Sequence, residues 1–162
     1  MLLDAILADS VASAEGKLYI QGGGWNSILA QGGFPTRHPR IGIGAVIRVP
    51  YTATNQTHTF TVRVEDSDGQ PLPLGDAPPG TGAEDGRLYE LVGNFTIGRP
   101  PTLVPGDEQI VPLAINLDGL VFPKPDAFRV VITLDGEPME TISFRVVPPI
   151  GVQLASATPP AA

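Results

Sequence analysis

The sequence predicts an all-β domain built from two packed antiparallel sheets, and three observations carry the prediction. Hydrophobic and polar residues alternate with period two in segment after segment, the pattern of a strand with one buried face. Glycine (19 residues) and proline (18) are abundant, which suits many short strands joined by turns better than long helices. Apolar residues make up 42% of a 162-residue chain, enough for one domain with a real core.

Taken in order, Leu18 and Ile20 alternate with Lys17, Tyr19 and Gln21. Ile41, Ile43, Ala45, Ile47 and Val49 form one face opposite Gly42, Gly44, Val46 and Arg48. Phe60, Val62 and Val64 oppose Thr59, Thr61 and Arg63 in a run rich in β-branched residues, which fit a pleated surface. Tyr89, Leu91, Phe95 and Ile97 make a further face, as do Val111, Leu113, Ile115 and Leu117. Phe128, Val130, Ile132 and Leu134, then Ile142, Phe144 and Val146, complete the series. Asp135-Gly136 separates the last two runs and Asp68-Gly69 follows the run at 58–65. Asp-Gly supplies the positive-φ residues of a tight turn, so 127–134 and 138–147 read as a hairpin. Pro112 removes a ladder donor and marks an edge strand or a bulge. The run Leu2 to Ala8 is a further strand, apolar on both faces and interrupted only by Asp4. Seven to eight strands so spaced imply an immunoglobulin-like β-sandwich, without the Cys…Trp…Cys signature of antibody domains.

Segment 66–86, with four prolines and five glycines, is expected to be an exposed, mobile loop, and Gly98 to Gly106 a second loop. Residues 1–147 read as one domain. Residues 148–162 have lost both alternation and charge and read as a Pro/Ala-rich tail.

A formal charge of −7 with only ten basic residues disfavours nucleic acid as a partner. The tightest basic group is Arg37, His38 and Arg40. Without cysteine, neither disulfides nor thiolate metal sites are available. The N-terminal segment lacks the basic region and apolar run of a signal peptide, and no stretch approaches a membrane span. The expected compartment is the cytoplasm, with no membrane association.

No constellation in the sequence reads as catalytic. Of the two histidines, His58 shares a strand face with Phe60 and Val62 and is expected at the sheet rim, partly covered, while His38 falls in an exposed connection. No serine lies in a nucleophile elbow, so no triad forms. Glu65-Asp66-Ser67-Asp68-Gly69 is the one dense oxygen cluster and is similar to part of a calcium loop. However, Ala77 stands where that loop needs a bidentate glutamate. A capped turn explains it better, and Glu84-Asp85 is a solvated pair. Gly22-Gly23-Gly24 and Gly42-Ile43-Gly44 lack the frame of a phosphate loop. Glycines in strand surroundings mark a bulge or the close approach of another backbone. Asn55-Gln56-Thr57 and Asn94-Phe95-Thr96 match the glycosylation pattern, which carries no weight without secretion. No cofactor or metal is expected.

One segment offers a binding patch. Trp25 follows three glycines, so Tyr19, Gly22, Gly23, Gly24 and Trp25 could present an aromatic anchor to a partner. The alternative is a bulge with Trp25 plugging the end of the sandwich. The string Gly16-Lys17-Leu18-Tyr19 … Gly22-Gly23-Gly24-Trp25 resembles the opening of a family of small uncharacterised bacterial proteins, mostly actinobacterial. Phe128 to Gly136 followed by Ile142 to Val146 is similar to that family's last hairpin. The resemblance spans most of the chain to about Val147 and implies no activity, ligand or catalytic residue.

The leading expectation is a non-enzymatic β-sandwich that binds a protein partner or itself, through the N-terminal strand or the Tyr19–Trp25 patch. The alternatives are a sandwich binding carbohydrate or another small ligand at Trp25 and Tyr19, and, more distantly, a hydrolase with a metal at the Glu65–Asp68 turn.

Overall fold

The structure, a computed structural model, describes residues 1–80 and 83–151. Two sheets account for the described core. The first runs in the order β2 (Lys17–Gly23), β1 (Leu2–Ala14), β4 (Thr36–Pro50), β9 (Glu108–Phe122). The second runs β3 (Ser27–Leu29), β11 (Glu137–Val147), β10 (Asp126–Leu134), β5 (Thr57–Glu65), β8 (Leu91–Thr96). A separate two-residue ladder joins β6 (Gly75–Asp76) to β7 (Arg87–Leu88). The all-β, two-sheet architecture predicted from alternation is the one observed. The three strands the alternation does not predict, β3, β6 and β7, are two or three residues long, too short to show a period. β3 lies parallel to β11, so the second sheet is not wholly antiparallel.

Most buried faces are those the period-two reading marks, but on β2 Leu18 is only half-buried and Ile20 is exposed. Ile41, Ile43, Ala45, Ile47 and Val49 of β4 meet Phe60, Val62 and Val64 of β5 and Phe128, Val130, Ile132 and Leu134 of β10 in one continuous core. Leu91, Phe95 and Leu113 are only partly buried, because they lie on the outermost strands β8 and β9. Three phenylalanines tie the sheets together: Phe122 lies 4.8 Å from Phe128 and 5.9 Å from Phe144 between ring centroids. Pro112 stands on β9 at the sheet edge, where its missing N–H leaves no neighbouring strand unpaired.

Asp135 and Gly136 both take positive φ, 53° and 84°, closing the β10–β11 hairpin as read. The tip is fastened to β5. Asp135 Oδ1 accepts the Thr59 N–H at 2.9 Å, and Asp135 Oδ2 lies 2.8 Å from His58 Nδ1. His58 Nε2 faces the Ala53 carbonyl at 2.7 Å. A carbonyl and a carboxylate both accept, so this geometry suits an imidazolium that donates from both nitrogens. Burial alone would lower the His58 pKa, but the Ala53 carbonyl and the Asp135 carboxylate outweigh it, and the pKa is raised. The same contact, with the Thr59 N–H, lowers that of Asp135. His58 is therefore buried rather than partly covered at a rim.

A raised folded pKa gives stability that is complete below the unfolded value of about 6.5 and is lost as pH rises through the folded value. The lowered Asp135 pKa gives stability that is lost only as acid protonates the carboxylate. Urea midpoints measured across pH should fall on the alkaline side in the wild type, and His58→Gln should flatten that limb. An unchanged slope in His58→Gln would show that the histidine does not carry the effect.

Within segment 66–86, residues 66–74 depart from the expected loose loop. Asp66 Oδ1 accepts the N–H groups of Asp68 and Gln70, Gly69 takes φ 79°, and the chain then turns back along β5. Leu72 donates its N–H to the Val64 carbonyl at 2.7 Å, and Leu72 and Leu74 are buried in the main core. Two leucines at alternate positions among prolines were enough to anchor it. The tail assigned to 148–162 lies outside the described residues after Gly151. Among the described residues, no helix is long and apolar enough to cross a membrane.

Candidate functional site

The unusual feature of this sandwich is its first hairpin. Glu15 and Gly16 take positive φ, 51° and 70°, and turn β1 into β2. The first half of β1, Leu2 to Ala8, pairs with β4, and the second half, Ala8 to Ala14, pairs only with β2. Beyond Ala8 the strand leaves the plane of its sheet and crosses the outer face of β4. A Cβ on Gly42 would lie 3.1 Å from the Cα and carbonyl carbon of Ser10. A Cβ on Gly44 would meet Ile20 and Val11 at 3.3 Å. Asn116 of β9 holds the crossing strand by its backbone: Nδ2 donates to the Val11 carbonyl at 2.9 Å, and Oδ1 accepts the Val11 N–H at 3.0 Å. The Gly42-Ile43-Gly44 string thus marks a close backbone approach, as strand glycines often do.

The rest of that outer face is open. Cross-strand register places Leu2, Arg48 and Ile110 in one row and Asp4, Val46 and Pro112 in the next; in the third, of Ile6, Gly44 and Ala114, Gly44 is already covered by Ile20 and Val11. Side chains in one row lie within contact distance on a pleated sheet. Leu2 is 55% exposed, Ile110 54% and Ile20 44%. Val46, Pro112 and Ala114 are half-buried. Arg48 and Asp4 pair with each other across the strands and neutralise the charge on the face. An aliphatic sheet face that no strand or loop covers marks an interaction site more often than scattered single residues do. Sequence reading found only part of it, the apolar outward residues of Leu2 to Ala8. Val46 and Ile110 also stand on the outward phase of their strands, a signal available in the alternation. The pairing that unites them is not.

The structure divides the patch proposed around Trp25. Gly22, at φ 63°, lies so close to Asp9 that any side chain there would overlap its carboxylate. Gly23 and Gly24 lie against Ile6 and Ile20, so the glycine run borders the aliphatic face. Trp25 turns the other way. It is partly buried against the core, its ring 6.2 Å from Phe144 and 6.4 Å from His38. Its Nε1 is shielded from solvent and has no hydrogen-bond partner. Tyr19 is exposed and lines a different recess from Trp25. His38 is not in an exposed connection but on β4, half-buried beside Trp25. Burial lowers its pKa, and the Arg40 backbone and the Asp9 charge oppose this only in part, so it is neutral at pH 7.

At the acidic turn, the Glu65 carboxylate is occupied by Arg129 at 2.9 Å and Arg63 at 3.3 Å. Among the described residues no group of three or more His, Cys, Asp or Glu side chains converges as metal ligands would.

A family model matches residues 3–147, nearly all of the described sandwich. The chain belongs to DUF6941, a family of unknown function. The DUF6941 match begins inside β1 and ends at the last residue of β11, so both the curled hairpin and the open face lie within it. No curated protein and no solved structure matches the chain.

Proposed function

We propose that this DUF6941 domain is a non-enzymatic interaction module that pairs with a second copy of itself through the outer face of the four-stranded sheet. The observation that carries this reading is the register, which gathers Leu2, Ile6, Val46, Ile110 and Pro112 from three strands onto one uncovered face, with Ile20 of β2 beside them. Covering an exposed aliphatic side chain fully is worth about 1.5–3 kcal/mol, so a few such residues can drive association. Arg48 and Asp4 are paired within each copy, and Glu108, exposed in the row beyond Ile110, stands at the edge of the face. The net −7 discourages wider aggregation.

Sedimentation velocity over a micromolar concentration series tests the proposal. The wild type should dimerise. Ile110→Glu should weaken the dimer at least about tenfold by placing a carboxylate in the contact. Val92→Glu, on the exposed edge strand of the other sheet, should leave it intact. A wild type that stays monomeric throughout, or equal weakening by both variants, would overturn the proposal.

A further inference from the structure

Most arginines of the described chain are engaged. Arg40 holds Asp118, Arg48 holds Asp4, Arg63 and Arg129 share Glu65, and Arg99 stacks on Tyr51 while donating to Thr54 and the Tyr51 carbonyl. Arg37, Arg87 and Arg145 are not, and the first two line the same cleft of about 650 Å³. The cleft lies between the β4–β9 end of the first sheet and the segment that returns through Pro71 to Asp76. Its apolar wall comes from Pro71, Leu72, Pro73, Leu74, Val121 and Pro123.

Arg37 is placed rather than merely present. Its guanidinium lies against the Cα of Gly119, so close that a Cβ there would overlap Nη2. Gly119 takes φ 67°, a conformation that L side chains rarely adopt. The neighbouring carboxylate, Asp118, is already taken bidentately by Arg40 at 2.6 and 3.1 Å. Arg37 thus has an exposed side chain lying over Gly119 and no hydrogen bond or ion pair for its five donors. Arg87 donates its backbone N–H to Asp85 Oδ1 at 3.1 Å, but its guanidinium makes no contact ion pair. Of the acidic groups in the cleft, Asp66 Oδ1 accepts two backbone N–H groups and Asp118 is held by Arg40, while Asp76 makes no ion pair and stands directly opposite Arg87 in the β6–β7 ladder.

We infer that this cleft binds a small ligand with one oxyanion, a carboxylate on an aliphatic body. Guanidinium forks match carboxylate geometry. The three aspartates on the wall set the charge limit: a monoanion pairs with the two free guanidiniums, whereas a polyanion such as a nucleotide is repelled. The volume suits a small molecule, and the proline-leucine wall suits its hydrocarbon part. The inference does not depend on self-association, because none of the cleft residues belongs to the open sheet face.

Titration of the full chain followed by ¹H–¹⁵N NMR tests it, with hexanoate as probe, hexanamide as its uncharged counterpart and inorganic phosphate as a bare oxyanion. Hexanoate should shift the Nε–H signals of Arg37 and Arg87 and the amides of 71–76, and hexanamide should not. Arg37→Met and Arg87→Met should each weaken hexanoate at least about tenfold, the loss of one charge-assisted fork. Arg145→Met, which removes a charge elsewhere, should leave it unchanged. Gly119→Ala should weaken binding while keeping the Arg37 charge; should it fail to fold, the two Met variants decide. No response to hexanoate in the folded wild type, equal shifts with hexanamide, tighter binding of phosphate than of hexanoate, or equal weakening by Arg145→Met would each overturn the inference.

Discussion

Phe128→Ala is expected to lower the stability of the domain by about 3–5 kcal/mol, the cost of emptying a fully buried aromatic site. Phe128 is 1% exposed and sits where the two sheets meet, against Phe122 from the first and Phe144 from its own. Three rings from β9, β10 and β11 close this part of the core, and the flanking strands are held in ladders on both sides, so the cavity has little room to collapse. Urea unfolding should show a lower midpoint with an unchanged slope, since the surface exposed on unfolding stays nearly the same. A loss below about 1 kcal/mol would mean that Phe128 does not join the sheets as described.

Gly42→Val is expected to detach the curled half of the first hairpin, at a cost of about 3–5 kcal/mol: overpacking contributes about 1–3, and the two Asn116 hydrogen bonds about 1 each if both are lost. The obstacle is backbone. A Cβ at residue 42 would lie 3.1 Å from Ser10 and 3.2 Å from the Ala8 carbonyl oxygen, and valine adds two methyl groups beyond it. The crossing strand must therefore lift. Amide exchange gives the sharper reading, because the Val11 N–H is bonded only through Asn116 on that side. In Gly42→Val the Val11 amide should lose protection while the Ile43 and Ile47 amides keep theirs. Retained protection at Val11 would show that the hairpin does not depend on the bare glycine track.

The inward faces of the long strands were legible because a period of two tells one side of a sheet from the other without knowledge of the neighbours. Ile41 to Val49 and Phe128 to Leu134 needed nothing more. Asp135-Gly136 was legible because its turn is set by local backbone sterics. Leu72 and Leu74 were misjudged because prolines around them outweighed a two-residue alternation. Trp25 was open to two readings, since three glycines permit the chain to leave in either direction. Phe144 and His38, distant in sequence, decide that it packs inward.

By itself, the sequence determined that the chain is all-β, which side of β4, β5 and β10 is buried, where the last hairpin turns, and that Gly42 and Gly44 mark either a bulge or a close neighbour. These are properties of single segments, governed by alternation, side-chain volume and φ preference. Only the tertiary structure decided which neighbour arrives. Val11 reaches Asn116 across 105 positions, His58 reaches Asp135 across 77, and Ile110 enters the same row as Leu2 through β4. The open face and the arginine cleft follow from strand order. Strand order is settled by how whole faces pack together, and no local run of residues encodes that.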